Sequence, residues 1–426
     1  MMVLSQLLLT AFAFTALAQE AKQPPLNPFA MGLEDRKAGN PLKQYAEMLR
    51  LEKDFLAKDR NTYFQALATV KSNLGDIAGA IRAWGEFSQP RRGTGPIFSS
   101  PLDGMTPRPA VQTIAGLMKG RNVLMIGEEH VKPQTRTILI PLLRELRKQG
   151  FEYFAAETFN DDLSETLRRG YALESTGTYT ADPIFAEGVR EAIKLGYKLV
   201  PYEHIEAPPP MENAKSQYRQ NFREKGQAVK LKERIFDKTP NAKVIVWAGR
   251  AHVYEQTADV GDDVWEPMAY WFKRLTGIDP LTVYLPTHSE ESRPELEVGN
   301  YRYATHNGWV KAPTVFLDKQ GKPFGESFDV QVFFPRAQYV KGRPDWMFRE
   351  LNRRAVEIPH SILAKQGMQV VQAHRVGEPP PAIPADQIVI HPGDPIPVLM
   401  LPKGDRFSVR AIDPDGKEIG KIDVRT

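Results

Sequence analysis

The chain has no cysteine, which excludes disulfides, thiol nucleophiles and thiolate metal sites, together with the lipid-accepting cysteine of a bacterial lipoprotein. Charge of one sign is also missing. The 56 Lys and Arg residues interleave with 52 Asp and Glu for a net charge of +4, and no basic run is threaded with aromatics, so the footprint of a nucleic-acid binder is absent. Beyond residue 20 no stretch is apolar enough to cross a bilayer. The His-Glu-x-x-His spacing of helical zinc sites does not occur either, so any metal must draw its ligands from separate segments.

What is present is ordinary globular material with unusual punctuation. At 426 residues the chain has room for two or three domains. The 35 prolines point to long ordered loops or linkers. Residues 7–18 are apolar, too short for a membrane span, and end in Ala16-Leu17-Ala18. This small-x-small pattern predicts an export signal cleaved near Ala18, although the first six residues carry no Lys or Arg. An exported chain without cysteine fits a soluble bacterial periplasmic or secreted protein.

Five regions follow the signal or include it: 1–18 as the signal, 19–110 as linker and helical segment, 111–295 as an α/β domain, 296–384 as a mixed extension, and 385–426 as a β-rich tail. In the helical segment, Leu67, Val70, Leu74, Ile77, Ile81 and Trp84 recur at spacings of three and four, which makes one face apolar. Within the central region, apolar runs at 122–126, 151–156, 198–202 and 243–247 alternate with helical patterns. That alternation predicts an α/β fold, a mostly parallel sheet flanked by helices. Leu281–285 reads as a fifth strand. Asp182-Pro183 opens a helix with an N-cap and Pro at the first position, and Gly196 closes it. Pro141 is expected to kink or split the helix around it. Asp413-Pro414-Asp415-Gly416 predicts a hairpin turn in the tail.

The informative feature is where the four central strands stop. The first runs into Gly127-Glu128-Glu129-His130, the second ends at Glu157, the third at Glu203-His204, and the fourth at Ala248-Gly249-Arg250-Ala251-His252. Parallel strands share a carboxyl edge where ligand sites form, so these residues are expected to converge. Glu128 and His130, two apart, share a face in extended geometry, while Glu129 points elsewhere. Carboxylates beside an imidazole fix its tautomer and let it take a proton from water. Arg250 and Arg136 are candidates to hold a developing oxyanion. His130, His252, Glu128 and Glu157 also form an N/O donor set of the kind that suits Zn or Mn. Tyr202, Tyr254, His204 and His252 lie near the same edge, and Tyr and His are residue types that ligate haem iron.

The order Gly127-x-x-His130, a strand ending in Glu157, then Glu203, then Gly249-Arg250-Ala251-His252 resembles the superfamily joining erythromycin esterases, Tiki/TraB-type proteins and ChaN-like haem-binding proteins, over residues 112–290. The resemblance implies a Glu/His-lined pocket. It further implies either water-activating hydrolysis of a small-molecule or peptide substrate, with or without a divalent metal, or haem binding in iron uptake without catalysis. The first expectation is a hydrolase cleaving an ester, lactone or amide, with His130 as base, Glu128 and Glu157 orienting it, and Glu203 and His252 completing the pocket.

Overall fold

The computed structural model describes residues 27–90 and 99–426. The export signal proposed at 1–18 lies outside the described residues, as do the start of the linker and part of the connector before residue 99. Among the described residues no helix is long and apolar enough to cross a membrane.

The strands of the α/β unit are β1 (Thr106–Pro109), β2 (Val123–Glu128), β3 (Tyr153–Ala156), β4 (Lys198–Pro201), β5 (Val244–Gly249), the small hairpin β6 (Ala258–Val260) and β7 (Asp263–Trp265), β8 (Leu281–His288), β9 (Thr314–Leu317) and β10 (Val330–Phe333). Eight of them form one sheet in the order β1-β9-β10-β8-β2-β5-β3-β4. Pairing is parallel from β10 across to β4, and only β1–β9 and β9–β10 are antiparallel. The fold is therefore α/β with a mostly parallel sheet. Strands β9 and β10 belong to this sheet rather than to a separate extension, so the α/β unit runs past residue 295 to Phe333.

Helices are α1 (Leu42–Arg50), α2 (Glu52–Asn73), α3 (Ile77–Gly85), α4 (Ala110–Leu117), α5 (Leu139–Lys148), α6 (Pro183–Lys194), α7 (Tyr218–Leu231) and α8 (Met268–Thr276). Both faces of the sheet are covered, which is why β2 and β5 are continuous apolar runs rather than alternating ones. Leu124 and Ile126 pack with Leu142, Leu143 and Leu146 of α5 and Phe185 of α6. Val123 and Met125 face Ala228 and Leu231 of α7 and Phe272 of α8.

Local signals behave as elementary chemistry dictates. Asp182 accepts from the amides of Ile184 (3.0 Å) and Phe185 (2.9 Å), with Pro183 opening α6. Pro141 does not kink α5: it sits in the first turn, where amides have no intrahelical acceptor, so its missing N–H costs nothing. Residues 344–356 hold one short helix, Trp346–Arg349, between two short strands.

Near the C-terminus, strands Gln369–Arg375, Asp386–Ile390, Arg406–Ile412 and Glu418–Arg425 form an antiparallel sheet. It begins before residue 385 and is not a free appendage. The α2–α3 hairpin lies on it: Leu67, Val70 and Leu74 share a core with Val370, Val389, Ile412 and Val131 of the α/β unit. The Val389 amide donates to the Leu74 carbonyl at 3.0 Å. In the hairpin turn the Gly416 amide donates to Asp413 O at 3.0 Å, with Gly416 at φ 81°.

Candidate functional site

In the sheet β2, β5, β3 and β4 are neighbours, and their parallel register aligns Glu128 with Gly249, Ala156 with Trp247 and Ala156 with Pro201. The chain leaves all four strands at one edge, and there Glu128, His130, Glu157, Glu203 and His252 come together. Gly127 permits the close approach, since a Cβ on it would stand 2.2 Å from the Arg250 carbonyl oxygen.

His130 Nδ1 lies 2.8 Å from Glu128 Oε1, and its ring stacks on Tyr179 with centroids 3.5 Å apart. Its Nε2 faces Gly249: a Cβ there would be 2.5 Å from His130 Nε2 and 3.1 Å from Glu157 Oε2. Glu157 Oε2 accepts from the Gly249 amide at 2.5 Å, and Oε1 accepts from Arg223 NH2 at 2.6 Å. His252 Nε2 is 3.5 Å from Glu157 Oε1 and 3.2 Å from Arg223 NH1. Arg223 also donates through Nε to Glu203 Oε1 at 3.0 Å and through NH2 to Glu203 Oε2. A cleft of about 610 Å³ opens beside this cluster: Glu157, Glu203 and Arg223 line it together with Tyr179, His204 and Arg219, whereas Glu128, His130 and His252 lie behind its lining.

Electrostatics follow the pairing. Burial works against ionising Glu157, but His252, His130, Arg223 and the Gly249 amide outweigh it and hold the carboxyl at about 2. Burial opposes the Glu128 charge as well, and Arg136 with His130 reverses the balance, placing that carboxyl well below the usual carboxylate range. For His252, burial disfavours the cation, yet Glu157 and Glu224 raise its pKa overall. Burial chiefly, then Glu157, push the Tyr179 phenol up.

Several expected roles are corrected. Arg136 is not a pocket cation. It is 1% exposed, grips both Glu128 oxygens (Nε–Oε2 2.7 Å, NH2–Oε1 2.6 Å) and pairs with Asp182 at 3.1 Å. Arg250 turns out of the site: its backbone takes φ 39°, and its guanidinium pairs with Glu129 and lies 4.7 Å above the Trp84 ring. The cation bonded to Glu157, Glu203 and His252 is Arg223, which the sequence reading missed, together with Tyr179 and Glu224. A signal existed. In α7, Glu224, Gln227, Ala228 and Leu231 form the buried stripe, and a Glu and a Gln on such a stripe need polar partners.

The donor set does not fit a metal. Among the described residues no group of three or more His, Asp or Glu side chains is arranged to hold one. Guanidinium groups already engage Glu128 and Glu157, so the proposed His130, His252, Glu128 and Glu157 sphere is not assembled. Nor do the residues fit haem. Tyr202 is fully buried and donates to the Trp247 carbonyl at 2.9 Å. Tyr254 packs edge-on against Phe328, and His204 is 3.0 Å from Glu206 with its ring against Phe222. Both ring nitrogens of His252 are engaged. His204 Nε2 is free of hydrogen bonds among the described residues but buried, and Tyr254 lies outside the cleft lining.

One prediction arises from the tightness around Gly249. Gly249→Ala places a methyl against His130 Nε2 and Glu157 Oε2, so the ring or the carboxylate has to give way. Overpacking adds about 1–3 kcal/mol of destabilisation. Comparing the urea midpoint with the wild type checks this; an unchanged midpoint would mean that the His130 ring is not held against Gly249.

No protein-family model matches the chain, and no curated protein matches it. Among solved structures it is similar to one described as bacterial protein toxins, at TM-score 0.32 and 16% identity, over 54% of this chain and 46% of that chain. It is also similar to the type III effector HopBA1, at TM-score 0.33 and 13% identity, over 56% and 99% of the two chains. A third is RRSP, a MARTX toxin effector domain from Vibrio vulnificus CMCP6, at TM-score 0.30 and 17% identity, over 54% and 44%. The chain spans less than half the length of the first and third of these. Similarity at this level carries no argument about activity.

Proposed function

We propose that this protein is a hydrolase that activates water with His130 to cleave an ester, lactone or amide. The observation that carries the reading is the Glu128–His130 pair at the strand ends, stacked behind Tyr179 of the cleft wall, with Nε2 turned to Gly249 and Glu157. An ionised Glu128 accepts only, so His130 carries its proton on Nδ1 and a lone pair on Nε2. Nε2 takes a proton from water as the oxygen adds to the substrate carbonyl carbon. The carbonyl π bond opens onto oxygen, and Arg223 supplies the positive charge facing that oxyanion. Collapse re-forms the carbonyl and breaks the bond to the leaving oxygen or nitrogen, which receives the proton from His130 Nε2. Glu157 holds Arg223 and the Gly249 amide in register with both imidazoles.

Membership of the erythromycin esterase, Tiki/TraB and ChaN-like superfamily belongs to the same proposal and rests on the motif order from Gly127 to His252. Export to the periplasm or medium rests on residues 7–18. The test is a panel of an aryl ester, a lactone and a peptide, assayed with wild type and Glu157→Gln. The wild type is expected to turn over at least one class, with kcat lowered about 10²-fold in the variant. Equal rates in the two proteins would end the reading.

A further inference from the structure

Helix α7 brings a further, buried carboxylate to the strand-end cluster. Glu224 is completely buried. Its Oε1 accepts from Gln220 Nε2 (2.6 Å) and Trp265 Nε1 (3.1 Å), and its Oε2 accepts from the Met268 amide (2.8 Å). The fourth acceptor position faces His252 Nδ1 at 2.7 Å. The Trp265 and Met268 groups are obligatory donors, and an ionised carboxylate accepts on every side, so His252 has to present an N–H at Nδ1. Its Nε2 is then left towards Arg223 NH1 and Glu157 Oε1.

This second pair differs from Glu128–His130 in one respect. Arg136 binds Glu128 through both oxygens, whereas the ion pair Glu224 makes among the described residues is with His252.

We infer that Glu224 is a positioning residue, fixing His252 in the Nδ1–H form with Nε2 aimed at Glu157 and Arg223 so that the strand-end cluster holds two carboxylate–imidazole pairs. Its effect on turnover rests on the proposed hydrolase; the tautomer of His252 does not. The competing role is purely structural, because Glu224 also ties down Trp265 of the β6–β7 hairpin and the first amide of α8.

The experiment is imidazole ¹⁵N NMR on the full chain, with the His252 signals assigned by their loss in His252→Gln. At a pH above the raised His252 pKa, where the ring is neutral, the wild type is expected to show the Nδ1–H pattern for His252. Glu224→Ala should convert it to the Nε2–H form or to exchange between the two. Trp265→Phe, which removes a different Glu224 bond, should lower stability and leave the His252 pattern in place. If Glu224→Ala fails to fold, Glu224→Gln serves: it keeps an oxygen acceptor but loses the charge, so the Nδ1 resonance should move. An Nε2–H pattern in the wild type, or an unchanged His252 signal in the Glu224 variant that folds, overturns the inference. In the activity arm, Glu224→Gln is expected to lower kcat about 10²-fold with KM unchanged; an unchanged kcat limits Glu224 to structure and overturns the positioning role. Correct NMR signatures in a protein that hydrolyses none of the panel would sink the hydrolase reading and leave the His252 assignment standing.

Discussion

His130→Ala is expected to remove at least about 10²-fold of turnover, the usual share of a positioned general base, while the fold survives. The second half follows from who else holds Glu128. With the imidazole gone, Arg136 still donates to both Glu128 oxygens at 2.6 and 2.7 Å, so no buried carboxylate is stranded. What is lost is one hydrogen bond and the stack on Tyr179, about 1–2 kcal/mol together. Circular dichroism and a urea melt should therefore stay close to wild type when kcat collapses. A parallel loss of structure and activity would mean that His130 is a packing residue.

The largest stability effect is expected at Arg136. Arg136→Met leaves Glu128 and Asp182, both buried, with no guanidinium between them. Breaking a buried pair by deleting one partner costs about 3–5 kcal/mol, here with the loss of the contact between Arg136 and the Phe185 ring. The effect should depend on pH. In the wild type Arg136 depresses the Glu128 pKa against the pull of burial, so the stabilisation is complete above the unfolded carboxylate value near 4.5 and fades as pH falls towards the depressed folded value. Urea unfolding at pH 7 and at pH 3.5 should thus give a wider gap between wild type and variant at pH 7. A gap that grows on acidification would contradict the pairing.

The convergence of Glu128, His130, Glu157, Glu203 and His252 was legible because parallel strands leave a sheet at a common edge, and each apolar run visibly stopped on a polar residue. Alternation likewise separates Glu128 and His130 from Glu129, which turns to Arg250. The arginines were not legible. Arg136 is drawn into the interior by Asp182, a residue whose obvious role is to cap α6, and spacing along the chain carries no sign of that meeting. Arg250 is turned away by a positive φ that a Gly-Arg-Ala sequence does not announce. Arg223 lies in a stretch dense with charged residues, 211–237, where nothing in the sequence separates it from a solvated cation. Strands β9 and β10 show the same limit: four residues, three of them apolar, declare a strand but not the sheet it joins.

The account's central claim, that His130 Nε2 is the base at this strand-end cluster, is tested most directly by chemical rescue. His130→Ala leaves a ring-sized gap between Tyr179 and Gly249, and imidazole added to the assay is expected to restore a saturable part of the lost turnover. An alanine variant that works as fast as the wild type, with no response to imidazole, would contradict the claim.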